Sequence, residues 1–387
     1  MQKIVRCCAD SVTAENQENK IFFGNGGKKR MSSYFGEKVK ISVFGESHGR
    51  GIGVVIDDLP AGEKIDMDRL LMFMGRRAPG RDKTATPRLE KDLPVIMSGM
   101  LGDTTTGTPL CAVIENTNTR SGDYGNLMTV PRPGHGDYSG YIRYNGFNDI
   151  RGGGHFSGRL TAPIVFAGSV CRQILERKGI KIASHIYSVG NICDTPFNPL
   201  KIESNLINRL NEMSFPLIES SVEKDMREYI EDARLKGDST GGIIECVASG
   251  VQAGIGNPMF AGVENIISSA IFGIPAVKGI EFGAGFQITK MLGSQANDCY
   301  QYDDNGNVVT SSNNNGGIVG GITNGMPILF RVAVKPTPSI SVPQKTVNLS
   351  SKENTELVIK GRHDPCIVPR ACAAVESALA IALINLL

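Results

Sequence analysis

Three glycine-flanked loops hold the residues of this chain that are equipped for chemistry. The first, Gly45-Glu46-Ser47-His48-Gly49-Arg50-Gly51, follows the strand-like run Val39–Phe44. The second is Arg132-Pro133-Gly134-His135-Gly136-Asp137, and the third is Gly361-Arg362-His363-Asp364-Pro365-Cys366. Glycines let the backbone approach a ligand closely and leave N–H donors unblocked. An imidazole exchanges a proton near neutral pH. Together the loops predict one site for a multiply anionic ligand whose reaction needs proton transfer. For His48 and His135 the roles open at this level are general acid, phosphate contact or structural turn residue. Glu46 reads as a loop holder, and Cys366 as a small buried filler.

The arginines bunch although the net charge of the chain is only +2. Arg76-Arg77-Ala78-Pro79-Gly80-Arg81-Asp82-Lys83, then Arg88, carry a basic run through a Pro-Gly turn. A basic helix end explains the first two; forks for carboxylate or phosphate oxygens explain the whole run. Local bunching in a near-neutral chain favours a small acidic ligand over nucleic acid. Ile150-Arg151-Gly152-Gly153-Gly154-His155-Phe156-Ser157-Gly158-Arg159 leads into a helix N-terminus, a ready anion site. Phe156 there is suited either to stacking on a ring or to packing. Residues 313–325 mix Asn and Gly with Ile318, Val319 and Ile322, which predicts an ordered loop near a ligand. Lys335-Pro336-Thr337-Pro338-Ser339 presents one ammonium and two hydroxyls on a stiff turn. None of these is a Walker A loop or a dinucleotide fingerprint.

The elements that must position these loops are legible from periodicity. Strands are expected over 39–45, 52–56, 93–98, 110–115, 181–188, 241–248, 277–282 and 328–334. Helices are expected from a cap at Asp66 to Arg77, and over 161–178, 219–235, 262–272 and 368–386. In the third of these, Val222, Met226, Tyr229 and Ala233 should face inward. The last helix is nearly apolar all round, but Arg370, Glu376 and Asn385 interrupt it, so it reads as a core helix and not a membrane span. Nine cysteines without metal spacing read as free thiols in a reducing, cytoplasmic setting.

In order along the chain, these motifs resemble chorismate synthase from Met31 to Leu387. The resemblance rests on the Gly-Glu-Ser-His-Gly loop, Arg-Arg-x-Pro-Gly at 76–80 and Thr105-Thr106-Gly107-Thr108-Pro109. It continues through Arg-Pro-Gly-His-x-Asp at 132–137, Asp-x-Arg-Gly-Gly-Gly at 149–154 and Gly293-Ser294-x-x-Asn297-Asp298. The Asn/Gly loop, Lys-Pro-Thr-x-Ser at 335–339 and Arg-His-Asp-Pro-Cys at 362–366 complete it. It implies an α+β fold, a β-α-β sandwich with helices packed between antiparallel sheets. It also implies a homotetramer that eliminates phosphate from 5-enolpyruvylshikimate 3-phosphate with reduced FMN and no net redox change.

By motif, the resemblance implies that His48 serves the departing phosphate, His135 the flavin edge, and Asp364 the substrate's C6 proton. Ser47, Arg77, Lys83, Arg88, Arg159 and Arg362 would bind substrate. His155, Phe156, Ser157, Pro275, Ala276, Gly320, Lys335, Pro336, Thr337, Pro338, Ser339 and Arg362 would bind FMN. No metal is expected. Some members of the family reduce their own flavin with NADPH. No dedicated segment for that is visible here, so an external reductant is expected. The chain departs from the family's common Arg-Ser-Ser-Ala-Arg-Glu-Thr at 155–161, reading His155-Phe156-Ser157-Gly158-Arg159-Leu160-Thr161. A flavin oxidoreductase acting on an anion, and an RNA or phosphate-ligand module, are the competing readings.

Residues 1–30 are expected to be a disordered or non-native extension, followed by a single domain over 31–387. Gly26-Gly27-Lys28-Lys29-Arg30 would then be a translated purine-rich ribosome-binding site, with Met31 the true start. Mass spectrometry of the native N-terminus is expected to find Met31 first; a peptide running from Lys20 to Lys28 would contradict it.

Overall fold

A computed structural model describes residues 33–80, 92–117, 127–359 and 364–387. Two five-stranded antiparallel sheets hold a layer of helices between them. The first sheet comprises Tyr34–Phe35 (β1), Lys40–Gly45 (β2), Gly51–Asp57 (β3), Pro94–Ser98 (β4) and Leu110–Glu115 (β5), in the order β1-β2-β3-β5-β4. The second comprises Lys181–Val189 (β6), Ile192–Cys193 (β7), Gly242–Ser249 (β8), Val277–Phe282 (β9) and Ile328–Val334 (β10), in the order β9-β10-β8-β6-β7. The expected strands are all present. The β-α-β sandwich implied by the motifs is the observed fold.

Alternation decides which face each sheet turns inward. In the first sheet Ile52, Val54 and Ile56 pair with Ile114, Ala112 and Leu110, and all six are buried. Two long helices fill the space between the sheets. Thr161–Arg177 (α3) lies against the first sheet, and Val368–Leu386 (α7) against the second. They press on each other where Gly168 meets Ser377; a Cβ at Gly168 would lie 2.2 Å from the Ser377 Cβ. The other helices of seven residues or more among the described residues are Met67–Arg77 (α1), Asp137–Arg143 (α2), Ser204–Glu212 (α4), Glu223–Leu235 (α5) and Val263–Phe272 (α6). Asp66 caps α1 as expected, accepting from Arg69 N at 3.0 Å. The final helix is long and apolar enough to cross a membrane, yet most of it is buried inside this protein. Its last turn reaches the first sheet, where Asn385 Oδ1 accepts from Glu37 and Lys38 N–H groups.

In α5 one expectation is corrected. Met226 and Ile230 are the buried pair, one helical turn apart, while Tyr229 is 41% exposed. The 3.6-residue period carries Met226 to Ile230, and Tyr229 rotates to the rim, where its ring lies under Gly190.

Both faces of the second sheet carry charge inside the protein. On the inner face Glu376 of α7, fully buried, takes both guanidinium nitrogens of Arg76 at 3.0 and 2.8 Å, Arg172 at 2.7 Å and the Ser184 hydroxyl at 2.7 Å. On the outer face strand register aligns a row of alternating sign. Glu281 stands opposite Arg331, Arg331 opposite Glu245, and Glu245 opposite His185. His185 reaches Glu245 through Nε2 at 3.0 Å and Asp194 through Nδ1 at 2.9 Å. Both ring nitrogens thus face carboxylates, which favours imidazolium.

Burial opposes charge on His185, but Asp194 and Glu245 outweigh it and raise its pKa above the ordinary 6.5. Burial likewise opposes ionisation of Asp194 and Glu245, and their hydrogen bonds from His185 and from the backbone lower both below the ordinary 3.8 and 4.5. The raised imidazole stabilises the fold fully below pH 6.5 and loses that contribution as pH rises through its folded value. The lowered carboxylates stabilise it above pH 4.5 and lose that contribution on acidification. His185→Gln is therefore expected to cost most between those limits, on the order of 3–5 kcal/mol for a broken buried pair. Urea midpoints of both proteins across the pH range check this; a gap that widens on raising pH toward about 9 would contradict the assignment.

Candidate active site

Gly152, Gly153 and Gly154 all have positive φ, +60°, +86° and +53°. Only glycine adopts such a run without strain. The turn also leaves no space for side chains. A Cβ on Gly152 would lie 2.1 Å from His48 Nδ1 and 2.8 Å from Ser47 Oγ. A Cβ on Gly153 would lie 2.9 Å from His135 Nε2. Two histidines from separate loops therefore rest on successive glycines of one turn. The Ser47 amide ties the first loop down by donating to the Gly154 carbonyl at 3.1 Å. His48 is buried, and Ser47 is fully buried with its hydroxyl unpartnered. A buried orphan hydroxyl has the chemistry of a ligand contact.

The second loop is organised by Asp137 at the start of α2. Its Oδ1 takes His135 Nδ1 at 2.6 Å and Arg132 Nη2 at 2.8 Å, and its Oδ2 takes Arg132 Nε at 2.7 Å. Burial opposes its ionisation, but hydrogen bonds from Arg132 and His135 hold the carboxyl well below the usual range. The acceptor fixes the proton of His135 on Nδ1 and turns Nε2 toward Gly153. Arg132 Nη1 continues to the Ser339 hydroxyl at 3.2 Å.

The turn 335–339 joins the third loop to the other two. Lys335 Nζ donates to the Gly134 carbonyl, and its amide donates to the Ala276 carbonyl at 3.0 Å. Burial and the nearby Lys278 lower the Lys335 pKa. Thr337 Oγ1 donates to the Asp364 carbonyl at 3.0 Å. Arg370 Nη1 clasps both Asp364 carboxylate oxygens at 3.2 and 3.1 Å. Ala276, next to Pro275, holds φ at +75°, a conformation non-glycine residues seldom adopt. Contacts therefore join His48, His135 and Asp364 with Ser47, Ala276, Lys335, Thr337 and Ser339, and with Pro336 and Pro338 of the same turn.

Other expected site residues have different company. Arg77 and Arg159 each take one oxygen of the buried Asp92. Arg77 also holds Thr161 Oγ1 at 2.9 Å and the Gly158 carbonyl at 3.2 Å. Burial opposes charge on Asp92, and the two arginines overcome it and lower its pKa. His155 Nδ1 lies 2.8 Å from the Gly45 carbonyl, and Nε2 lies 2.6 Å from Ser33 Oγ. Its ring thus braces the first loop from below. The Phe156 ring packs against the backbone of Gly136 and Gly140 and lies 6.4 Å from Tyr144, so packing describes its contacts here better than ring stacking. Ser157 Oγ accepts from the Arg159 amide at 3.3 Å. Gly320 is at the exposed tip of a small hairpin whose hydrogen bonds run to Val263 and Ile255. Lys83, Arg88 and Arg362 lie outside the described residues.

Sequence reading passed over four residues that organise the site: Asp92, Asn116, Arg132 and Arg370. Arg132 stood within a quoted motif, so its signal was present. Asp92 and Asn116 bind through partners distant in sequence, and Arg370 reads in the sequence only as a charge interrupting the final helix.

The sequence model of the family described as chorismate synthase matches residues 39–387. The chain is 45% identical to the chorismate synthase of Lancefieldella parvula over 368 residues, covering 92% of this chain and 96% of the relative. It is 47% identical to that of Pyrococcus abyssi over 348 residues, covering 90% and 95%. A solved structure titled "Crystal Structure of Chorismate Synthase" superposes with a TM-score of 0.68 at 28% identity, over 91% of this chain and 92% of that one.

The turn makes a direct test of the geometry. Gly152→Ala is expected to displace His48, to cost about 1–2 kcal/mol for the left-handed backbone, and to lower turnover by on the order of 10²-fold. Gly293→Ala, where the new methyl meets open space, is the control. Turnover and thermal midpoints of the two variants check it; a fully active Gly152→Ala would contradict the docking of His48 on the turn.

Proposed function

Because the chain belongs to the chorismate synthase family, we propose how its own residues divide the work of that family's reaction. The enzyme converts 5-enolpyruvylshikimate 3-phosphate into chorismate and phosphate, the last common step of aromatic amino-acid biosynthesis. A proton leaves C6 and its C–H pair forms a C6–C1 double bond; the existing C1–C2 double bond shifts to C2–C3, and the C3–O bond breaks with its pair leaving on the phosphate oxygen. Substrate and product differ by no net electrons.

The cluster fits an anionic substrate and a flavin. It offers the unpartnered Ser47 hydroxyl, the Nε2 edge of His135 and the cationic groups of Arg132 and Lys335 around a turn too tight for side chains. Reduced FMN, when bound, supplies electron density to the breaking carbon–oxygen bond. Lys335 to Ser339, Pro275, Ala276, Ser157 and His135 would hold it, with Gly320, His155, Phe156 and Arg362 completing the family's set. His48 holds a proton at the departing phosphate oxygen, and Ser47 donates beside it. Asp137 fixes His135 with its proton on Nδ1, so that Nε2 can take up or return a proton at the flavin edge. Asp364, oriented by Arg370, assists removal of the C6 proton. Arg77, Arg159, Lys83, Arg88 and Arg362 meet the substrate's anionic groups.

The flavin must arrive reduced, and an external reductant fits a chain with no dinucleotide fingerprint. A reducing cytoplasm fits the seven free cysteines among the described residues. A homotetramer fits exposed apolar residues such as Phe147 and Phe260, each 91% exposed.

The observation that carries this reading is the docking of His48 and His135 on successive glycines. Anaerobic incubation with 5-enolpyruvylshikimate 3-phosphate is expected to release chorismate and phosphate only with reduced FMN, which is not consumed. His48→Ala and His135→Ala are expected to bind ligands and to lose about 10²–10⁴-fold in turnover. Turnover without flavin, consumption of the reductant in step with product, or fully active histidine variants would overturn the respective assignments.

A further inference from the structure

We propose that Asn116 is a positioning residue for the reaction, acting through the loop that carries Ser47 and His48. Asn116 directly follows β5, and its amide donates to the Arg50 carbonyl at 3.2 Å, prolonging the ladder beyond the Gly51–Glu115 pair. Its side chain then reaches across the first loop. Nδ2 donates to the Glu46 carbonyl at 2.9 Å and to the Gly49 carbonyl at 3.0 Å. These two carbonyls bracket Ser47 and His48. Oδ1 accepts from Arg159 Nε at 3.2 Å, and Arg159 is held in turn by Asp92. One carboxamide therefore sets the histidine loop in register with the buried arginine pair.

The chemistry of this position is exacting. It needs two donors for two carbonyls and an acceptor for a guanidinium, which is the inventory of a primary amide. Aspartate has nearly the same shape but would set a carboxylate against both carbonyl oxygens. Glutamine, one methylene longer, would push the loop out. Asn116 touches neither His48 nor the reacting atoms in these contacts; its effect is exerted through the backbone at Glu46 and Gly49. Small misplacements of a reacting group cost on the order of 10²-fold in rate.

The proposal rests on the role assigned to His48, and a double-mutant cycle tests the two separately. Turnover with reduced FMN is measured for the wild type, His48→Ala, Asn116→Asp and the double variant, with Asn116→Ala as a second probe of the position. Thermal midpoints are recorded for each. Asn116→Asp and Asn116→Ala are expected to remain folded and to lose about 10–100-fold in kcat. In the His48→Ala background the further loss should be under about 3-fold, because the loop no longer carries the group it positions. A full multiplicative loss in that background, or kcat within about 2-fold of wild type for both single variants, would overturn the role of Asn116 and leave His48 untouched. Loss of folding in both Asn116 variants would make the residue structural and overturn it equally. A wild-type rate for His48→Ala would overturn both assignments.

Discussion

The site depends on a left-handed turn of three glycines. Any side chain at Gly152 or Gly153 would occupy the space of an imidazole. The turn is thus a mould that two histidines from separate loops press against, and it fixes their spacing without a direct bond between them. The rest of the site is built to hold that arrangement. The Gly154 carbonyl receives the Ser47 amide, Asp137 locks His135, and Arg132 reaches on to the turn at Ser339. Loops of this kind are precise only when their backbone polar groups are all committed.

That precision is borrowed from a core with unusual polar content. Glu376 is fully buried in the final helix, and burial opposes its charge. Arg76 and Arg172 reverse that and lower its pKa, while Ser184 of the second sheet completes the shell. An ion cluster of this type adds little net stability over a well-packed apolar one. What it supplies here is register. It pins α1, α3, α7 and the second sheet at one point, a requirement that interchangeable alanines in α7 would not impose. Arg77 follows Arg76 in the chain and emerges at the Asp92 cluster. The core cluster therefore sets where the basic end of α1 enters the site.

The fold was largely legible in sequence because alternation and helical period were strong. Ile52, Val54 and Ile56 alternate with Gly51, Gly53, Val55 and Asp57, none of which but Val55 offers an apolar side chain, and the apolar run from Val368 announced its own burial. Tyr229 was misread because an aromatic ring at the edge of an apolar stripe has both apolar bulk and a polar rim. The three histidine-bearing or aspartate-bearing loops were legible because glycine next to a titratable group is rarely a packing solution. The company kept by each residue was not legible. Asp92 and Asn116 act through hydrogen bonds to residues remote in sequence, and such bonds leave no periodic trace. Likewise the short helix α2 is preceded by Gly136 and contains Gly140, which hides its period, and the Phe156 ring fills the groove those glycines leave.

The departure from the family's common form at residues 155–161 is best understood through the same logic of commitment. A histidine stands at 155 where an arginine is usual, and its two ring nitrogens meet Gly45 and Ser33. The carbonyl of Gly45 can only accept, so Nδ1 carries the proton, and Ser33 donates to Nε2 in the neutral ring. The side chain is thereby spent on the end of β2, one residue before Glu46. A ligand contact from His155 would have to take the ring from one of those partners. Leu160, where an acid is usual, is buried in the core instead, and Asp92 is the carboxylate shared by Arg77 and Arg159. The glycine turn, on which His48 and His135 rest, keeps the same steric demand.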